Sequence, residues 1–261
     1  MTLSLLAPET LIVFLMLTVR IGAIVLSLPL LGSRNVPAQL KVLLILMLSV
    51  ALYPRVPLQQ VVLPQHLGHL ALVVMSEMLI GLTIGLVAQF LFAGIQLGGE
   101  FISQQMGLNI ATIFDPYNAQ QVSLVTHFHN VLAMLMFLSG SAHHWFIIAM
   151  AESVQSVPLA SLSTSDAVFP VLLSLLGKAC VIAIQLAAPV SITLLLATLV
   201  LGVMARLVPQ LNVFMLSFPA TLGLGLVMLA LALPSLMGGM QLAFGQLGND
   251  LMLVIRALGA R

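Results

Sequence analysis

Charge is what this chain most lacks: eight basic and seven acidic side chains stand among 261 residues, or 6%. Soluble domains carry about 25%, so an ordinary water-facing surface cannot be built from this set. With 61% hydrophobic residues and a mean hydropathy of +1.20, the chain reads as an integral membrane or membrane-like protein. A formal net charge of +1 provides no basic surface for nucleic acid. The single cysteine, Cys180, excludes an intramolecular disulfide framework and is expected to be a small buried hydrophobe in an apolar run. The N-terminus lacks the basic region of a cleavable leader, carries Glu9 and places Arg20 inside its first apolar run. Thr10–Leu31 is therefore expected to be the first helix of the mature protein.

Catalytic frameworks are missing as well. His127 and His129 lie two apart, on different helical faces, and His143 and His144 are adjacent. Neither pair has the i, i+4 spacing of a helical zinc pair, and no HExxH accompanies them. His143, His144 and Trp145 read instead as amphipathic residues near a helix end, marking an interface. No GxSxG elbow or GxxxxGK[ST] phosphate loop frames the serines. No enzyme activity, metal or cofactor is expected. Fifteen methionines are unusual, but Met16, Met47, Met134, Met136, Met204 and Met228 lie inside apolar runs and read as core.

What is present is a series of hydrophobic runs, near residues 10–31, 39–53, 70–97, 122–151, 171–204 and 213–236, with a weaker seventh over 241–258. A helix needs about 20 apolar residues to span hydrocarbon; the second run is short unless it extends past Pro54, and the fifth is over-long. Gly32–Pro37, Pro54–Pro64, Pro158–Pro170 and Pro209 punctuate them. Nothing alternates with strand period over enough segments to suggest a β-barrel. The expected fold is all-α and membrane-type, with about six main helices in long hairpins. Arg34, Lys41 and Arg206 favour a cytoplasmic side for two connections, a vote weakened by Arg55, Arg256 and Arg261.

Three charges fall inside runs: Arg20, Glu77 and Lys178. An arginine at helix centre costs about 3 kcal/mol on an insertion scale, which the apolar residues of the first run offset. Such residues face a bundle interior and are functional candidates; the plainer alternative is a packing pair, Arg20 with Glu77. Gly81 with Gly85, and Gly94 with Gly98, have the GxxxG spacing that brings helix backbones together, within this chain or against other subunits.

Between the third and fourth runs lies GIQLGGEFISQQMGLNIATIFDPYNAQQ, residues 94–121. It breaks the helical pattern with glycines and Asp115–Pro116, yet keeps Met106, Leu108, Ile110, Ile113 and Phe114 apolar. A loop bathed in water has little reason to carry them. Irregular backbone at membrane depth is tolerated only inside protein or along an aqueous cavity. The segment is expected to fold into a protein-lined passage and close it, with Gly107, Asp115 and Pro116 shaping the loop.

Three stretches together resemble one family: VRIGAIVLSLPLLGSRNVPAQLKVLLILMLSVALYP (19–54), GGEFISQQMGLNIATIFDP (98–116) continued by LSGSAHHWFIIAMAESVQSVPL (138–159), and AAPVSITLLLATLVLGVMARLVPQLNVFMLSFP (187–219). They look like the FliR family of flagellar export-gate proteins, with counterparts in injectisomes. The resemblance implies a non-catalytic subunit of a type III secretion apparatus in the bacterial inner membrane, at the flagellar basal body. It implies assembly with several copies each of FliP and FliQ, contact with FlhB, and unfolded flagellar proteins as substrates. Residues 1–165 would be a FliP-like half containing the plug loop, 106–121, and residues 166–261 a FliQ-like hairpin and tail. In the family's assembled state, hairpins stack in a helical spire and need not cross the bilayer. Arg206, Pro209, Gln210 and Asn212, at the last hairpin turn, are candidates for subunit contact, or simply end one helix and begin the next. A reading from another class is a secondary transporter using Arg20, Glu77 and Lys178 at a broken helix; it requires internal repeats, and none is seen.

Overall fold

The computed structural model describes residues 8–29, 31–32, 36–61, 64, 66–108, 123–160, 166–208, 210 and 213–260. Seven α-helices account for most of them: α1 (Pro8–Ser27), α2 (Ala38–Leu52), α3 (Leu67–Met106), α4 (Leu124–Ser139), α5 (His143–Ser156), α6 (Val168–Leu207) and α7 (Val213–Gly259). Two short 3-10 turns, Tyr53–Arg55 and Leu58–Gln60, follow α2, and no strand occurs among the described residues. The all-α expectation holds. Five helices are long and apolar enough to cross a membrane, and the α4–α5 pair, bent by 65°, makes a sixth if counted as one span.

Two runs divide differently from their hydropathy. The fourth breaks at Gly140–Ser141, where Ser141 takes φ 55°, so α4 stops and α5 starts anew, with His143 and His144 opening a helix. The sixth and seventh runs are a single 47-residue helix, α7, that continues through Pro219 and Pro234. A proline removes one backbone donor and crowds the preceding turn; transmembrane-type helices tolerate this where neighbours support the freed groups. The second run reaches the length of a span because Tyr53–Arg55 extends it past Pro54 as a 3-10 turn.

The chain forms two compact units, one of residues 1–90, 141–176 and 245–261, the other of residues 91–140 and 177–244. Helices α3, α6 and α7 contribute to both. In the first unit α1 is the core element, with Met16, Leu17, Ile21 and Ile24 fully buried. Helix α3 lies directly on it. A Cβ added at Gly81 would stand 2.5 Å from the Arg20 carbonyl oxygen, and one at Gly85 would collide with the Ser27 hydroxyl. The Gly81/Gly85 spacing thus serves packing within the chain. The end of α7 covers α5, with Gly248 under the Trp145 ring and Gly259 against the Ser156 carbonyl.

In the second unit the same device recurs between α3 and α6. Gly94 sits on the Ala179 carbonyl, 2.6 Å from where its Cβ would be, and Gly98 on the Ala183 carbonyl at 3.0 Å. Phe92, Phe137 and Phe244 then join α3, α4 and α7 in a buried triad with ring centroids 5.7–5.8 Å apart. These edge-to-face and tilted pairs add about 0.5–1.5 kcal/mol each beyond burial.

Candidate functional site

The C-terminal end of α3 is where the expected plug loop begins, and its geometry is a built helix stop. The Leu108 N–H donates to the Ser103 carbonyl at 3.2 Å and the Gly107 N–H to the Gln104 carbonyl at 3.1 Å. Gly107 has φ 80°. This is a Schellman cap, with Met106 as the last helical residue and Gly107 in the left-handed position that L-residues disfavour. Met106 is fully buried, while Leu108 is half-buried.

What holds Met106 is α7. A Cβ at Gly225 would lie 2.6 Å from the Met106 Cγ and 2.9 Å from its Sδ and Cε, so the absent side chain is the seat for the methionine. One turn earlier, the Thr221 hydroxyl points at the Met106 carbonyl at 3.5 Å but is closer to its own Ser217 carbonyl, at 2.9 Å. The first distance is long for a hydrogen bond, so the steric seat is the stronger contact.

The far end of the loop is held as well. Ser123, just before α4, hydrogen-bonds Ser103 through the two hydroxyls. Thr126 donates to the Glu100 carboxylate at 3.0 Å, and Gly99 lets the α4 backbone approach at Thr126. His129 packs behind it, fully buried, with Nδ1 2.9 Å from the Val125 carbonyl and Nε2 without a partner. The two loop ends are thus fastened side by side. Of the expected plug residues, Met106, Gly107 and Leu108 belong to this base; Ile110, Ile113, Phe114, Asp115 and Pro116 lie outside the described residues. Ser103, Ser123, Thr221 and Gly225 escaped sequence reasoning, because single small residues in a glycine- and serine-rich chain carry no pattern.

Arg20 and Glu77, both fully buried in the first unit, pair through Nε and Oε2 at 2.5 Å. The Arg20 Nη1 donates to the carbonyls of Ser153 at 2.9 Å and Val157 at 2.7 Å, satisfying the C-terminal end of α5. The other Glu77 oxygen accepts the Ala160 N–H at 2.8 Å, holding Ala160 at φ 66°. Only Nη2 of the guanidinium lacks a hydrogen-bond partner. One arginine and one glutamate therefore tie α1, α3 and the chain leaving α5. Lys178, by contrast, is exposed on α6.

At the last hairpin turn Arg206 is exposed in the final turn of α6, where a cation complements the helix dipole. Gln210 is exposed too; Pro209 and Asn212 lie outside the described residues. Among the described residues no three His, Cys, Asp or Glu side chains gather where a metal could sit.

A family model described as "Bacterial export proteins, family 1" matches residues 11–247. Among similar proteins, a "Flagellar biosynthetic protein FliR" of Bacillus subtilis is 36% identical, covering 83% of this chain and 84% of its own. One of Pectobacterium carotovorum is 34% identical, over 83% and 82%. One of Escherichia coli is 29% identical, over 92% and 91%.

Proposed function

Because the chain belongs to the FliR family, family 1 of the bacterial export proteins, we propose that it is a non-catalytic subunit of the flagellar type III protein-export gate. In this reading it lies in the bacterial inner membrane and forms, with several copies each of FliP and FliQ and in contact with FlhB, the pore through which unfolded flagellar proteins leave. The segment from Met106 to Gln121 closes that pore. The observation that carries the reading is the base of the loop: Met106 seated on Gly225, a Gly107 cap, and ends clipped together by Ser103 and Ser123. A segment rooted so firmly at both ends can be large and apolar between them without disturbing the helices.

Assembly is favoured by lengths and surfaces. Helices α3 and α6 have 40 residues each, about 60 Å of contour. The 47 residues of α7 reach about 70 Å, against a hydrocarbon core of about 30 Å. Much of their apolar surface, such as Leu195, Leu199 and Val203 on α6 and Val227 and Leu231 on α7, is exposed. Contour beyond the hydrocarbon needs protein to cover it, which suits stacked hairpins of several chains. Division into a FliP-like half, 1–165, and a FliQ-like half, 166–261, makes α6 and α7 the second building block, with Arg206, Pro209, Gln210 and Asn212 toward a neighbour. The transporter alternative is weaker, since Arg20 and Glu77 are fully buried and satisfy each other while Lys178 is exposed.

The deciding measurement is the mass of the detergent-extracted complex with its subunits identified. Fixed, unequal copies of small hydrophobic partners are expected; a chain active alone in solute exchange would sink the proposal. Deleting residues 109–122 should raise ion leakage in cells, and unchanged leakage would remove the plug from it.

A further inference from the structure

Helix α7 touches α3 at two levels within the second unit. Phe244 joins Phe92 in the aromatic triad, and nineteen residues earlier, about 28 Å along the helix, Gly225 receives Met106. Between the two contacts stand Pro234 and the pair Gly238–Gly239. Pro234 has no N–H, so the Ala230 carbonyl loses its helical donor. Each glycine weakens a helix by about 1 kcal/mol relative to alanine. By the same rules Pro219, Gly223 and Gly225 weaken the arm itself, but the Pro234–Gly239 stretch is the one that separates an end fixed by three aromatic rings from an arm that carries the methionine seat.

We propose that Gly225, assisted by Thr221, is the seat that holds the root of the α3–α4 loop, and that the α7 arm releases Met106 by bending at Pro234. The inference rests on the plug reading above and adds its control. The arm leads to the hairpin turn where Arg206 and Gln210 are exposed, so a neighbouring chain bearing on that turn moves the seat. Met106 suits such a joint, because its unbranched thioether side chain fills a notch closely and can re-pack against a different surface.

The test uses the full-length chain in cells with its own export apparatus. Oxidation of a Met106→Cys, Gly225→Cys double variant should link the two positions and lower export of flagellar proteins about fivefold or more, the low end of coupling between sites. Reductant should restore export. Gly225→Ala, which puts a methyl group on the Met106 Cγ, should raise ion leakage. Thr221→Val should raise it less, and Thr221→Ser should behave as wild type. Pro234→Ala should lower export without leakage, since it stiffens the arm. A cross-link that leaves export unchanged, while deletion of 109–122 still leaks, overturns the seat and spares the plug. Deletion without leakage overturns both. If the double variant does not accumulate, wild-type leakage from Gly225→Ala overturns the seat, and unchanged export by Pro234→Ala overturns the hinge.

Discussion

The two units share close glycine packing and differ in what is added to it. In lipid or against equally apolar neighbours, burying one more leucine does little to hold helices together. The first unit adds a polar lock, Arg20 with Glu77, whose four bonds reach α3, the end of α5 and Ala160. The second unit adds two hydrogen bonds at the loop ends but relies mainly on shape: glycines on α3 against Ala179 and Ala183 of α6, three phenylalanines, and a methionine in a glycine notch. A lock is directional and fails as a whole, because each member is buried and costly to leave unpaired. Shape fails by degrees, and one of its contacts can open while the others stay. The unit that carries the loop base is the one built on shape.

That contrast can be broken, and the largest effect is expected at the lock. Glu77→Ala leaves the Arg20 charge buried and unpaired, and should destabilise the chain by about 3–5 kcal/mol, seen as lost melting temperature and yield of the extracted complex. Arg20→Met together with Glu77→Leu should recover most of it; a double variant as damaged as the single one would mean that the ion pair is not the source. Next is Phe244→Ala, at about 3 kcal/mol, since a triad missing one ring leaves a cavity that rigid helices fill only in part. Gly94→Ala should cost about 2 kcal/mol and Gly98→Ala less than about 1, because the former meets the Ala179 backbone at 2.6 Å and the latter Ala183 at 3.0 Å. Equal melting temperatures for the two would refute graded packing. Gly107→Ala is of the same small order as Gly98→Ala, about 1 kcal/mol for a left-handed alanine, read as faster amide exchange at the end of α3 with the first unit unaffected.

Legibility followed the same contrast. A buried charge stands out against a greasy sequence, so Arg20 and Glu77 were readable as a pair from their isolation alone. The two GxxxG spacings were readable too, although spacing could not say whether the partner helix belonged to this chain; the structure supplies α1 and α6. Lys178 was not readable, because α6 carries apolar residues all round and nothing in its pattern marks the outward face. The merger of the last two runs was hidden by Gly238–Gly239, which signals a break in water and a tolerated irregularity in a membrane-type helix. The bend between α4 and α5 was hidden for the opposite reason, since Gly140–Ser141 is weak punctuation inside a strong hydrophobic run. Of the site itself, Met106 and Gly107 were visible, but their counterpart Gly225 is one glycine among nineteen.

The hydroxyl clasp between Ser103 and Ser123 carries a consequence for how such a chain can vary. Once two points of a polypeptide are pinned side by side, the entropic cost of closing the stretch between them grows only logarithmically with its length, about 0.6 kcal/mol for each doubling. Insertions and deletions there leave the helical scaffold almost untouched. Length between α3 and α4 is therefore a nearly free variable for this architecture.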